Sequence, residues 1–84
     1  MFYTYVLYST EYQKIYIGQS SNLQQRLKQH NDIDNAGWTR KYQPWVIVYA
    51  ELYSDRKQAM KRERELKTSR GRSFIREILR TNKA

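Results

Sequence analysis

Residues 2–31, FYTYVLYSTEYQKIYIGQSSNLQQRLKQHN, set the architecture. Phe2 to Tyr8 is dense in β-branched and aromatic side chains and reads as a strand, and Lys14 to Gly18 (KIYIG) reads as a second. The polar stretch Ser9–Gln13 between them has hairpin length, so an antiparallel pair is expected. Ser21, with Gln24 three residues later, has the form of a capping box that satisfies two orphaned backbone donors. A helix from about Asn22 to His30 is predicted to follow.

Beyond this stretch, residues 31–43 carry Asp, Asn and Gly37 ahead of Pro44 and read as a loop. Trp45 to Tyr53 (WVIVYAELY) is a third strand. Asp55 with Gln58 repeats the cap signature and starts a second helix reaching Lys67 or Thr68. Gly71 is expected to break it, leaving a third helix over Arg72–Thr81 with Phe74, Ile75, Ile78 and Leu79 on one face. The order β-β-α-β-α-α predicts an α+β fold, a small three-stranded antiparallel sheet flanked by helices. No repeat or linker divides the chain, so residues 1–84 are expected to form one domain.

The chain has 16 Lys/Arg, 8 Asp/Glu and no cysteine, a net charge of +8. No disulfide, thiolate metal site or cysteine nucleophile is available, and a reducing, cytoplasmic setting is expected. No apolar run is long enough to span a membrane and no signal-peptide core follows Met1. The charge is uneven. Residues 1–37 balance three cations against three anions, whereas residues 38–84 set 13 Lys/Arg against five acids. Such one-sided charge beside 8 tyrosines favours a polyanion over a merely solvated face.

Charged residues also fall where a core is expected. In the first helix Leu23, Arg26, Leu27 and His30 form one stripe at i, i+3, i+4 and i+7. In the second, Ala59, Met60 and Leu66 define an apolar side, and Glu63 shares it. Buried charge is costly unless paired or bound to metal. Arg26 and Glu63 therefore read either as a buried ion pair or as members of a concave site. His30 reads either as a helix-end residue acting on the dipole or as part of that same site. Most strand tyrosines read as packing residues, but Tyr16 has the register to approach Tyr5 across the hairpin. Gly18 lets the backbone turn and can admit a phosphate.

Tyr3-Thr4-Tyr5 followed by Tyr16-Ile17-Gly18 resembles the signature of the GIY-YIG nuclease superfamily. Arg26 ten residues after Tyr16, and His30 four further on, fit the family pattern. Thr39 and Pro44 are similar to the T…P segment before its third strand. Ala59, Glu63 and Lys67 match the A-x3-E-x3-K pattern of small stand-alone bacterial members. The resemblance covers nearly the whole chain, and the first triplet lacks its Gly and Ile.

The resemblance implies metal-dependent cleavage of phosphodiesters in DNA, duplex or branched, with RNA a further candidate substrate. It implies that Glu63 is the single protein ligand of Mg2+ or Mn2+, a hard cation otherwise held by water. Tyr5 would act as general base or water-positioning group, with Tyr16 and His30 completing its hydrogen-bond network. Arg26 would stabilise charge on the phosphoryl oxygens. Gly18, Arg26, Lys67, Arg70 and Arg72 are the expected nucleic-acid contacts, Lys67 reading equally as a surface residue. Family members that cut defined targets carry an added DNA-binding domain, and the 84 residues leave no room for one, so little sequence specificity is expected. A non-catalytic nucleic-acid-binding module with the same fold is the alternative. The sequence leaves monomer and homodimer equally open.

Overall fold

A computed structural model describes residues 1–81 of the chain. Lys83, counted above in the basic C-terminal half, lies outside them. Three strands, β1 (Phe2–Ser9), β2 (Lys14–Ser20) and β3 (Trp45–Tyr53), form one antiparallel sheet in the order β2-β1-β3. Helices α1 (Leu23–Asn31), α2 (Arg56–Leu66) and α3 (Ser69–Thr81) complete the α+β fold in the predicted order. A short 3-10 helix, Trp38–Tyr42, lies inside the segment read as loop.

The hairpin forms because strand-prone residues flank a tight polar turn. Gln13 there takes a positive φ of 53° and its N–H reaches Ser9 O at 2.8 Å. Tyr5 pairs with Gly18 and Leu7 with Tyr16. A register shift between Val6 and Leu7 changes the pairing to β3: Val6 faces Tyr49, but Leu7 faces Ile47. Alternation along β1 sends its two sets of side chains into separate cores. Val6 packs with Ile17, Leu66 and Ile75 beneath α2 and α3. Tyr5 and Leu7 pack with Trp45 on the other face, where Tyr16, Leu23, Leu27, Tyr42 and Ile47 close around them. Each fully buried aliphatic side chain here is worth about 1.5–3 kcal/mol relative to exposure.

Three local expectations change. The cap of α1 is Asn22, not Ser21: Asn22 Oδ1 accepts from Gln25 N at 3.1 Å, while Ser20 Oγ takes the Asn22 N–H at 3.1 Å. Asp55 does cap α2, accepting from Gln58 N at 2.9 Å. The α2–α3 break falls at Lys67–Thr68 rather than at Gly71. Thr68 Oγ1 accepts from Gly71 N at 3.2 Å and caps α3, and Gly71 lies buried inside that helix. Met60 and Phe74, placed on apolar faces by spacing, are 41% and 40% exposed.

Candidate active site

The site grows from the α1 face of the sheet. Tyr5 points there from the central strand and is 1% exposed. Its partner across the hairpin is Gly18, and a Cβ built on Gly18 would stand 2.7 Å from Tyr5 Oη and 2.9 Å from Cζ. The space that Gly18 leaves is therefore filled by the Tyr5 phenol, not held open for a phosphate. Tyr16, one step along β2, sets its ring 6.3 Å from that of Tyr5.

His30 closes the other side. Burial pulls its pKa down to about 4, and the Arg26 charge adds to the shift, so the imidazole is neutral at pH 7. A neutral ring cannot serve as a cation at the helix end. It is instead held at both nitrogens. Nε2 lies 3.3 Å from Tyr5 Oη and Nδ1 3.0 Å from Thr39 Oγ1. Thr39 Oγ1 also accepts from Asn35 Nδ2 at 2.7 Å. Tyr16 packs on the imidazole with ring centroids 4.5 Å apart. The chain Asn35–Thr39–His30–Tyr5, buried from Thr39 inward, thus fixes the phenol's orientation.

Arg26, half-buried, reaches the same place from α1 one turn before His30. Its guanidinium faces the Tyr5 and Tyr16 phenols, and Tyr5 is the main reason its pKa is raised. Nη1 donates to Gln29 Oε1 at 3.0 Å. Burial pushes the Tyr5 phenol up. Arg26 opposes that shift, while Tyr16 and Glu63 add to it. Tyr5 is consequently a neutral phenol at pH 7.

Glu63 comes from α2 and is near enough for its charge to act on Tyr5. Arg26 and Glu63 are not an ion pair. Glu63 Oε2 accepts from Lys67 Nζ at 2.8 Å instead, with 24% of the glutamate side chain exposed. Among the described residues no group of three or more His, Asp or Glu gathers as a metal cage. The donor set fits a hard cation held by one carboxylate and water, since Glu63 keeps an oxygen beyond the Lys67 contact.

Two connected clefts of about 330 Å³ each open at this site and share Arg26 and Gln29. One contains Tyr16, His30, Trp38 and Thr39. The other runs past Asn22 to Arg56. The expected nucleic-acid contacts divide accordingly. Arg26 lies in the cleft and Lys67 is taken up by Glu63. Arg70 lines a separate groove with Arg62 and Phe74. Arg72 is exposed and directs Nε to Lys67 O at 3.4 Å. Sequence reading missed Arg56, Asn35 and Trp38. Asn35 and Trp38 were hidden in a segment with loop composition, although W-T-R-K-Y interleaves aromatic and basic residues.

A family model described as the GIY-YIG catalytic domain matches residues 1–75. The chain belongs to the GIY-YIG family. This nuclease domain family acts on nucleic acid, and its members generally use divalent metals. A UPF0213 protein of Staphylococcus haemolyticus is 39% identical over 54 residues, 64% of this chain and 66% of the relative. Another, from Bacillus licheniformis, is 41% identical over 61 residues, 73% of this chain and 62% of the relative. The matched stretches thus span a little under two thirds of these relatives' own lengths. The solution NMR structure of a UPF0213 protein from Bacillus halodurans superposes with a TM-score of 0.53 at 25% identity, covering 93% of this chain and 85% of that one. Among the described residues no helix is long and apolar enough to cross a membrane.

Proposed function

We propose that this GIY-YIG domain, spanning residues 1–84, is a divalent-metal-dependent endonuclease that hydrolyses phosphodiesters in DNA with little sequence specificity. The observation that carries the reading is the pair Tyr5–His30. A buried phenol is held on a neutral imidazole, with an arginine beside it and a carboxylate within electrostatic reach.

In this reading Tyr5 positions the attacking water. With Nδ1–H given to Thr39 Oγ1, His30 Nε2 accepts the phenol proton, and the Tyr5 oxygen lone pairs then face the water. The raised pKa of Tyr5 favours this role over that of a free phenolate base. The water oxygen attacks phosphorus as the bond to the leaving oxygen breaks, the water proton passes by way of Tyr5 out to solvent, and a solvent proton neutralises the leaving oxygen. Tyr16 packs on His30 and holds the ring in place. Arg26 places its N–H fork where charge grows on the phosphoryl oxygens, and Gln29 holds that fork. Glu63 would hold Mg2+ or Mn2+, which when bound offsets negative charge on the phosphate.

The test is plasmid nicking with Mg2+ or Mn2+ by wild type, Glu63→Ala and Tyr5→Phe. Loss of at least about 100-fold in both variants is expected, and equal activity in all three sinks the catalytic reading. A second reading, a binding module that retains the fold, has one observation in its favour: Lys67 already neutralises Glu63. It predicts salt-dependent DNA binding without cleavage.

A further inference from the structure

Trp38 is 49% exposed in a protein whose other tryptophan, Trp45, is 2% exposed. Its ring lines the same cleft as Tyr16, Arg26 and His30. The packing behind it is aromatic: Tyr42 lies 4.7 Å away and Trp45 5.9 Å, centroid to centroid. The next residue, Thr39, is anchored twice. Its side chain meets His30 Nδ1 at 3.0 Å and its carbonyl accepts from Trp45 Nε1 at 2.7 Å. Gly37, the residue before, gives its N–H to Asn35 Oδ1 at 2.8 Å. Trp38 is thus fixed on both sides, backed by rings and open in front. Arg40 and Lys41 follow in the same 3-10 helix, both exposed.

We propose that Trp38 is a stacking platform for an unpaired nucleobase next to the scissile phosphate. The proposal rests on the nuclease reading and narrows its substrate to strands with an unstacked base at the cut. A solvent-facing indole that shares a cleft with Arg26 and is followed along its helix by two exposed cations is the arrangement that single strands require: aromatic faces for bases and cations for the backbone. A base in an intact duplex has its faces covered by its neighbours and cannot use the platform. The indole carries no charge, so its removal takes no ionic contact from the phosphates.

The full chain, kept in EDTA so that no cleavage occurs, is titrated with a ten-residue thymidine single strand and with a blunt duplex. The difference in tryptophan emission between wild type and Trp38→Ala, which keeps Trp45, reports on Trp38, and anisotropy of labelled strands gives affinity. The single strand is expected to quench emission saturably. Trp38→Ala is expected to weaken single-strand binding about 5- to 100-fold, Trp38→Phe by less than about 3-fold, since a phenyl ring still stacks. Duplex affinity should stay within about 2-fold and the salt slope should not change, because no cation is removed. Equal single-strand affinity in wild type and Trp38→Ala overturns the platform, as does a loss shared equally with duplex. Cleavage of the same single strand and of plasmid by wild type with Mg2+ is run alongside. If neither is cut while the selective single-strand loss remains, the platform stands and the nuclease reading falls. If cleavage proceeds without that loss, the platform falls alone.

Discussion

Gly18 leaves the Tyr5 phenol no spare room. A methyl group there would stand 2.7 Å from Tyr5 Oη and 3.1 Å from Tyr16 Cε1, with Tyr5 itself buried. The two rings that must give way are those that hold His30. Gly18→Ala is therefore expected to displace the phenol from His30 Nε2, cutting nicking by at least about 10-fold and stability by about 1–3 kcal/mol. Nicking rate and thermal unfolding measured together check this, and an undiminished rate would mean that the phenol's position is unimportant. His30 gives a pH signature of its own. Its folded pKa of about 4 lies below the ordinary 6.5. Between those values the unfolded chain binds the proton and the folded one does not, so its contribution makes stability fall as pH drops from about 6.5 to 4. The full effect is at most about 3 kcal/mol. His30→Gln, compared with wild type by urea unfolding at pH 4, 5.5 and 7, should show a shallower decline. Parallel curves would contradict a buried neutral imidazole.

Gly71 joins two helices more tightly than any side chain would permit. An added Cβ would meet Glu65 O at 2.3 Å and Leu66 Cα at 2.4 Å, both backbone atoms that cannot rotate aside. Gly71→Ala gains about 1 kcal/mol of helix propensity, yet it must push α3 off α2. A net loss of about 2 kcal/mol is expected, or a midpoint lower by roughly 8–16 °C. A midpoint that rises would show that the two helices yield. The same glycine marks the limit of what sequence shows. Its low helix propensity suggests a break, whereas the reason for it is the close approach of α3 to the end of α2, five to six residues earlier, which propensity does not show. Strand identities were legible because β-branched and aromatic runs flank clear turns, and the order of elements followed. The α1 cap was less so, since Ser21–Gln24 and Asn22–Gln25 offer two equal frames. Ser20 Oγ, by taking the Asn22 N–H, selects the second. Spacing turned Arg26, His30 and Glu63 inward but could not name their partners. Gln29 and Lys67 lie three and four residues beyond Arg26 and Glu63 along the same helices, whereas Thr39, the partner of His30, comes from the separate 3-10 helix that composition read as loop.

The surplus of cations lies in residues 38–84, but not every one of them is free to meet a polyanion. Arg62, on α2, is committed to the fold. Its Nε donates to Glu51 at 2.9 and 3.2 Å, while Tyr49 and Tyr53 donate to the same carboxylate. Burial would raise the Glu51 pKa, but these donors outweigh it and hold the carboxyl below its usual range. Tyr53, bound to that carboxylate, is pushed up to about 12. Arg56, six residues earlier on the same helix, is exposed and lines the same cleft as Arg26. The two arginines should therefore respond in opposite ways. Arg56→Gln, which gives up only a cation–π contact 5.3 Å over the Phe2 ring, is expected to cost no more than about 1 kcal/mol and to lower the slope of log affinity against log salt by about 0.9 on duplex DNA, one phosphate contact. Arg62→Gln is expected to leave that slope unchanged and to cost about 1–3 kcal/mol, because the Glu51 charge loses its cation. Binding isotherms between 50 and 200 mM salt, paired with urea unfolding, separate the two. A slope that falls in Arg62→Gln but not in Arg56→Gln would place the nucleic acid along the α2–α3 groove of Arg62 and Arg70 rather than in the cleft of Arg26.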